Sequence, residues 1–226
     1  MNNKRKEMRD VLKHSRIGNI TNDISKRQEN NLFSANQRVL KRLRVLYPHL
    51  RFSHEKSISL IEMFELLYCS DKEKAVKMIQ PMHESQRILP DGGIIYLLRN
   101  NDDKLPVLIS EKKHQGGFDE NVKVNGAGNA IERVFKNERS CKNYCQLLGV
   151  KTIFPYVVFG DGNSFKRTAS IMAQISMCLG QPFNQNNSLL GTASFYFRQP
   201  EWNGWEMEEI CFEIAERTVI EYLHAD

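Results

Sequence analysis

Gly93-Ile94-Ile95-Tyr96-Leu97-Leu98 and, beyond Asn100-Asn101-Asp102-Asp103, Pro106-Val107-Leu108-Ile109-Ser110-Glu111-Lys112-Lys113 read as the two strands of a hairpin. Both runs are short and apolar, with β-branched and aromatic side chains, and the polar cluster between them favours a turn. Antiparallel pairing returns the end of the second strand to the start of the first. Pro90-Asp91-Gly92 precedes the first strand and Glu111 lies near the end of the second, so Asp91 and Glu111 are predicted to meet at one end of a sheet. Alternation along a strand places Glu111 and Lys113 on one face and turns Lys112 to the other. Two adjacent acids repel each other unless a cation lies between them. Hard oxygen donors with no Cys or His pair nearby favour Mg²⁺ over Zn²⁺. The pattern points to metal-assisted chemistry on a phosphodiester.

Outward from the hairpin, Phe154-Pro155-Tyr156-Val157-Val158-Phe159 is apolar on both faces and reads as a central strand, and Ser194 to Arg198 as another. A long helix is predicted from Asn129 to Leu148, a second from Lys166 to Leu179, and an acidic amphipathic one from Trp205 to Leu223. Toward the N-terminus, Ser57 to Tyr68 and Asp71 to Ile79 read as helices. Before them, Asn22-Asp23 is a candidate cap for a helix carrying Ile24, Leu32, Phe33, Val39, Leu40, Leu43 and Leu46, which Pro48 stops. Met1 to Ile20 reads as an arm. The expected organisation is a basic, helical, peripheral region over 1–56 and a core over 57–226, compact as a whole. Strands interleaved with helices predict an α/β fold: a three-layer sandwich around a mixed sheet.

Residues 1–56 carry 14 Lys or Arg against 5 Asp or Glu, a net of +9, whereas residues 201–226 carry 8 acids against Arg217 alone, a net of −7. A basic segment of this kind suits a phosphate backbone, and it equally suits a solvated helical face. The 5 cysteines are widely spread and odd in number, which predicts a reduced, intracellular and cytoplasmic protein. Cys141 and Cys145 share a helical face and are expected to pack in a core rather than bind zinc. Trp202, Trp205, Tyr196 and Phe197 are expected in the core rather than as base-stacking platforms, and the acidic C-terminal helix as a solvated outer face. No apolar run long enough to span a bilayer occurs, so export and membrane insertion are not expected.

Asp91 with Glu111-Lys112-Lys113 fits the Pro-Asp…(Asp/Glu)-X-Lys signature of restriction-endonuclease-like nucleases. Pro90-Asp91-Gly92-Gly93-Ile94, Ser110-Glu111-Lys112-Lys113-His114-Gln115-Gly116, Gly128-Asn129-Ala130-Ile131-Glu132-Arg133 and Phe154-Pro155-Tyr156-Val157-Val158-Phe159 occur in that order. In this wording the chain resembles the EcoRI restriction endonuclease family over residues 88–160.

The resemblance implies a homodimeric type II enzyme that uses Mg²⁺ to cut both strands of duplex DNA at a short palindrome, leaving 5′-phosphate and 3′-hydroxyl ends. Asp91 and Glu111 would hold the metal together with the main-chain carbonyl of Lys112, and Lys113 would polarise the attacking water. Asn129, Ala130, Glu132 and Arg133 match positions that enter the major groove and read an AATT centre. Asn suits the adenine edge and Arg suits base-edge acceptors, with Glu132 anchoring Arg133. Gly126 and Ala127 fall where the family reads the outer base pair, and Arg167 is a candidate for an outer guanine, which would make the site GAATTC. His114, facing away from Glu111 on an extended strand, is expected to support structure or subunit coupling. Only 12 residues separate Gln115 from Gly128 and 7 separate Phe159 from Arg167, short intervals for the family, and the basic N-terminal region is expected to supply phosphate contacts instead. A structure-selective repair nuclease and a non-catalytic DNA-binding protein are the alternatives; the presence of Asp91, Glu111 and Lys113 together counts against the latter.

Overall fold

A computed structural model of the chain describes residues 16–67, 73, 87–99, 104–115, 127–149, 154–162, 194–197 and 203–224. In chain order the elements are α1 (Arg16–Leu46), β1 (Arg51–Glu55), β2 (Ile58–Ser59), α2 (Leu60–Leu67), β3 (Arg87–Ile88), β4 (Gly93–Leu98), β5 (Lys104–Gln115), α3 (Ala127–Leu147), β6 (Tyr156–Gly162), β7 (Ser194–Phe197) and α4 (Gly204–His224). Five strands form one sheet in the order β1-β4-β5-β6-β7, and β2 pairs with β3 separately. β1 pairs antiparallel with β4 and β4 with β5, while β5, β6 and β7 are mutually parallel, so the sheet is mixed as the sequence led us to expect.

The hairpin sets the register. Gly93 faces Ser110 and Ile94 faces Ile109, which brings the residues before β4 alongside Glu111 and Lys112. β6 lies on the other side of β5 with Glu111 opposite Val158. Tyr156, Val157, Val158 and Phe159 are fully buried, as an interior strand covered on both faces requires. Successive residues of β5 turn to opposite faces: Ser110 meets Asn36 of α1, whereas Glu111 meets Asn137 of α3.

α1 differs from its sequence reading at its start and in its place. It runs through Asn22-Asp23, which therefore do not cap it, and ends at Leu46 ahead of Pro48, whose ring disfavours helix in the residue before it. Leu32, Ala35, Val39 and Leu43 recur at helical spacing and are fully buried, so this helix is part of the core rather than peripheral. Arg51–Glu55, expected within a helical region, is instead an edge strand paired with Ile94–Leu98 of β4, because the hairpin would otherwise leave that edge's backbone groups without partners. The helix expected from Ser57 starts at Leu60, after the short strand β2. The helices expected over 71–79 and 166–179 lie outside the described residues, Glu73 excepted.

α4 is capped by Asn203, whose Oδ1 accepts the amides of Trp205 (3.0 Å) and Glu206 (2.9 Å), while Glu206 returns its carboxylate to the Asn203 amide (3.3 Å). This is a reciprocal capping box. One face of α4 buries Met207, Cys211, Ile214, Ala215 and Val219, and its acidic face reaches α1: Glu209 pairs with Arg42 at 2.6 Å, and Glu208 pairs with Arg38. The acidic face is thus partly an intramolecular contact. Trp205, expected in the core, is 68% exposed at the start of the helix. Cys141, Cys145 and Cys211 are buried free thiols, in keeping with a packing role. Among the described residues no helix is long and apolar enough to cross a membrane.

Candidate active site

The turn that carries Asp91 is built to lie against β5. Gly93 N–H donates to the Pro90 carbonyl (2.9 Å) and closes the turn, and Gly92 N–H donates to the Ser110 carbonyl (3.0 Å). Gly93 has φ of 75°, in the left-handed region that side chains disfavour. A Cβ on Gly92 would lie 2.0 Å from Ser110 Oγ and 2.7 Å from Asn36 Nδ2, so only glycine permits this approach. Held there, Asp91 accepts the main-chain N–H of Lys112 on Oδ2 at 2.9 Å. The turn and the strand end predicted to meet do meet, through a charge-assisted bond.

Glu111 projects from the opposite face of β5 to Ser110 and is 1% exposed. Its two carboxylate oxygens accept Nδ2 of Asn137 at 3.1 and 3.2 Å, and Oε2 also accepts the Tyr156 hydroxyl. Burial pushes the Tyr156 phenol well above its ordinary range, the charge of Glu111 raises it further, and Asp91 adds to the same effect. The phenol therefore stays protonated and donates, and both acids act on the one buried hydroxyl. Cys141, behind Glu111 on α3, is likewise held as a thiol, by burial first and then by Cys145, Glu111 and Glu138. A thiol held neutral in this way is not primed as a zinc ligand.

These residues suit a hard divalent cation. Two carboxylates at one sheet end are the protein donors Mg²⁺ ordinarily takes, the rest of its shell being water or substrate oxygen. Asn137 and Tyr156 fix the orientation of Glu111 while leaving lone pairs on its oxygens. Among the described residues no group of three or more His, Cys, Asp or Glu forms a metal-holding cluster.

The other expected site residues fall as follows. Lys112 is buried, its side chain on the face away from Glu111. Lys113 and His114 continue β5 opposite Gly160 and Asp161 of β6, their side chains lying outside the described parts. Ala127 is the first residue of α3, and Asn129, Ala130, Glu132 and Arg133 occupy its first two turns, again without described side chains. Gly126 and Arg167 lie outside the described residues. Sequence reading missed Asn137, Tyr156, Asn36 and His54. Asn137 lies two helical turns beyond Asn129, and Tyr156 two residues along β6 from the position facing Glu111, so neither was marked by spacing in the chain.

The family model for restriction endonuclease EcoRI matches residues 15–177. The type II restriction enzyme RsrI of Cereibacter sphaeroides is 27% identical over 226 aligned residues, which cover 80% of this chain and 79% of that enzyme. The type II restriction enzyme EcoRI of Escherichia coli is 30% identical over 180 residues, covering 73% of this chain and 63% of that enzyme.

Proposed function

The chain belongs to the EcoRI family of type II restriction endonucleases, and on that premise we propose that it hydrolyses both strands of duplex DNA at a palindrome with an AATT centre, GAATTC if Arg167 reads an outer guanine. The observation that carries the reading is the hydrogen bond from the Lys112 main-chain N–H to the Asp91 carboxylate, which sets the Asp91 turn against the strand end next to Glu111 inside the matched region.

Asp91, Glu111 and the Lys112 carbonyl would hold Mg²⁺, which when bound would supply positive charge beside the scissile phosphate and make water more acidic. Asp91 is set by the Lys112 amide, and Glu111 by Asn137 and Tyr156, so neither carboxylate must reorganise when DNA arrives. Lys113 orients the attacking water and offsets charge on the phosphoryl oxygens. Water adds to phosphorus in line with the departing 3′-oxygen, the P–O3′ bond breaking as the new P–O bond forms; the attacking water releases a proton to solvent and the 3′-oxygen takes one up from solvent, so the products are a 5′-phosphate and a 3′-hydroxyl. Asn129, Ala130 and Arg133 on the first turns of α3 read base edges, with Glu132 anchoring Arg133. Gly126 and Ala127 approach the outer pair, and His114 supports the strand end. The same helix carries Asn137 to Glu111, which supports placing base reading and chemistry on one rigid element.

Symmetric cutting of a palindrome needs two sites related by its twofold axis, which a homodimer provides. The contacts of Ser110 with α1 and of Glu111 with α3 support a three-layer arrangement, helices on both faces of the sheet. We read residues 1–56 and 57–226 as one compact domain working in the cytoplasm, where unmodified foreign DNA is met.

Digestion of unmethylated phage DNA with Mg²⁺ is expected to give discrete fragments whose mapped ends all lie at AATT. A smear, or ends at unrelated sequences, defeats the specificity. Asp91→Ala is expected to abolish cutting while retaining DNA binding in Ca²⁺; retained cutting defeats the assignment of the metal site.

A further inference from the structure

We infer that Asn36 and His54 are positioning residues that set Asp91 by clamping the carbonyl of its neighbour Gly92. The inference rests on Asp91 being a metal-holding acid. Asn36 Nδ2 donates to the Gly92 carbonyl at 2.7 Å, and His54 Nε2 bonds the same oxygen at 2.8 Å. A carbonyl oxygen has two lone pairs, so both are taken and the Gly92-Gly93 peptide plane is fixed from two directions. The other side of Gly92 is held as well, its N–H on the Ser110 carbonyl. Glycine has the widest backbone freedom of any residue, and two follow Asp91 in succession. Restraint of this turn must come from outside it.

Asn36 does more than hold one strand. The same Nδ2 donates to Ser110 Oγ at 2.7 Å, so a single fully buried amide ties the residue after Asp91 to the residue before Glu111. Its Oδ1 has no hydrogen-bond partner among the described residues, so the amide serves through its donors. His54 is itself fixed. Gln37 Nε2 bonds its Nδ1, and an amide nitrogen only donates, so Nδ1 accepts and Nε2 carries the hydrogen that Gly92 needs. Phe33 stacks on the imidazole with ring centroids 4.7 Å apart. Phe33, Asn36 and Gln37 recur at i, i+3 and i+4, so one face of α1 grips the turn directly and through β1. Neither residue touches a reacting atom. Their effect passes through Asp91, where displacements near 1 Å cost about 100-fold in rate.

His54→Leu and His54→Gln form the decisive pair, because the Gln amide reaches the position of Nε2 and keeps the donor to Gly92, whereas Leu does not. The first readout is amide hydrogen exchange at Lys112 in the metal-free protein, since Asp91 is the acceptor of that N–H. The second is Mn²⁺ affinity by electron paramagnetic resonance, and the third is the single-turnover cleavage rate at saturating DNA. His54→Leu and Asn36→Ala are expected to exchange about 10-fold faster at Lys112 and to lose about 10- to 100-fold in Mn²⁺ affinity and cleavage, the usual range for groups that orient ligands. DNA affinity in EDTA is expected to stay within about twofold, as Asn36 is fully buried and both ring nitrogens of His54 are engaged within the protein. His54→Gln is expected to recover most of each loss. Parent-like exchange and Mn²⁺ affinity in His54→Leu overturn the inference, as does a His54→Gln protein as defective as His54→Leu. If Asn36→Ala does not fold, the His54 pair decides. Asp91→Ala run alongside separates the two levels: if it keeps parent Mn²⁺ affinity and cleavage, the reading of the metal site fails rather than the clamp.

Discussion

Tyr156→Phe deletes one hydroxyl from a fully buried ring and leaves its packing intact, so it isolates the bond to Glu111. A hydrogen bond to a charged group contributes about 1.5–3 kcal/mol, more than a neutral pair, and here the acceptor is 1% exposed and cannot recover the loss from bulk water. Asn137 remains, but its one nitrogen is shared between both oxygens at 3.1 and 3.2 Å and is already engaged. The upper part of that range is therefore expected: about 2–3 kcal/mol, or roughly 4–12 °C in Tm for a chain of this size. The assay is urea unfolding with matched thermal melts, in which the slope of free energy on urea should not change. A second arm adds Mg²⁺. A cation held by Glu111 supplies the missing positive partner, so Mg²⁺ should stabilise the variant by more than it stabilises the parent. A Tm within 1 °C of the parent at unchanged slope would refute the donor role of Tyr156. An equal Mg²⁺ increment in both proteins would refute cation binding at Glu111.

The remaining expectations follow from the same geometry. Glu138 is buried on α3 and its carboxyl pKa is raised by desolvation, with Lys142 and Arg139 offsetting part of the effect. The folded state therefore binds this proton more tightly than the unfolded chain, and stability is lost as pH rises from the unfolded value of about 4.3 through the raised one. Glu138→Gln should raise Tm at pH 7 and lose that advantage at pH 4; an advantage independent of pH would exclude the desolvation argument. Gly92→Ala forces a Cβ to within 2.0 Å of Ser110 Oγ, so the turn must move, with a loss of about 1–3 kcal/mol by chemical denaturation. Parent stability would show that the turn is not pressed against β5. A double-mutant cycle on Arg42 and Glu209, 2.6 Å apart and each about a third or more exposed, should give a coupling below about 1 kcal/mol that shrinks in 1 M NaCl. Arg42→Ala should cost more than Glu209→Ala, because the guanidinium also lies 3.7 Å from the Phe212 ring centre.

Where sequence and structure agree, the signal was periodic or local. The 93–98 and 106–113 runs, the central 156–159 strand and the 129–148 helix are carried by apolar patterning at periods of two or 3.6, and the structure keeps each within a few residues. The approach of the Asp91 turn to the end of β5 followed from strand pairing alone. β1 was missed because Arg51-Phe52-Ser53-His54-Glu55 carries one buried apolar residue and becomes a strand by pairing with β4. Trp205 was misplaced because aromatic bulk was read as burial, while the Asn203 cap puts it at an exposed helix start. Asn36, His54, Asn137 and Tyr156 were invisible for another reason. Their partners lie 56, 38, 26 and 45 positions away, and each acts through a single polar atom. Periodicity reports which face is buried; it carries no record of which polar atom faces which.

The charge asymmetry shows why composition alone misdirects. The basic N-terminal segment and the acidic C-terminal helix invite separate roles, one toward phosphate and one toward solvent. Arg38 and Arg42 instead meet Glu208 and Glu209, so part of each charge is answered within the molecule. Arg44 and Arg51 are also engaged, donating to the carbonyls of Phe52 and Arg99. An arginine committed to a protein partner releases fewer counterions on DNA, and the salt dependence of binding counts only phosphates newly neutralised. The first 56 residues should therefore contribute less to DNA affinity than their net charge suggests. Their larger contribution is mechanical: α1 and β1 present Asn36 and His54 to the Gly92 carbonyl, and so hold the turn that carries Asp91.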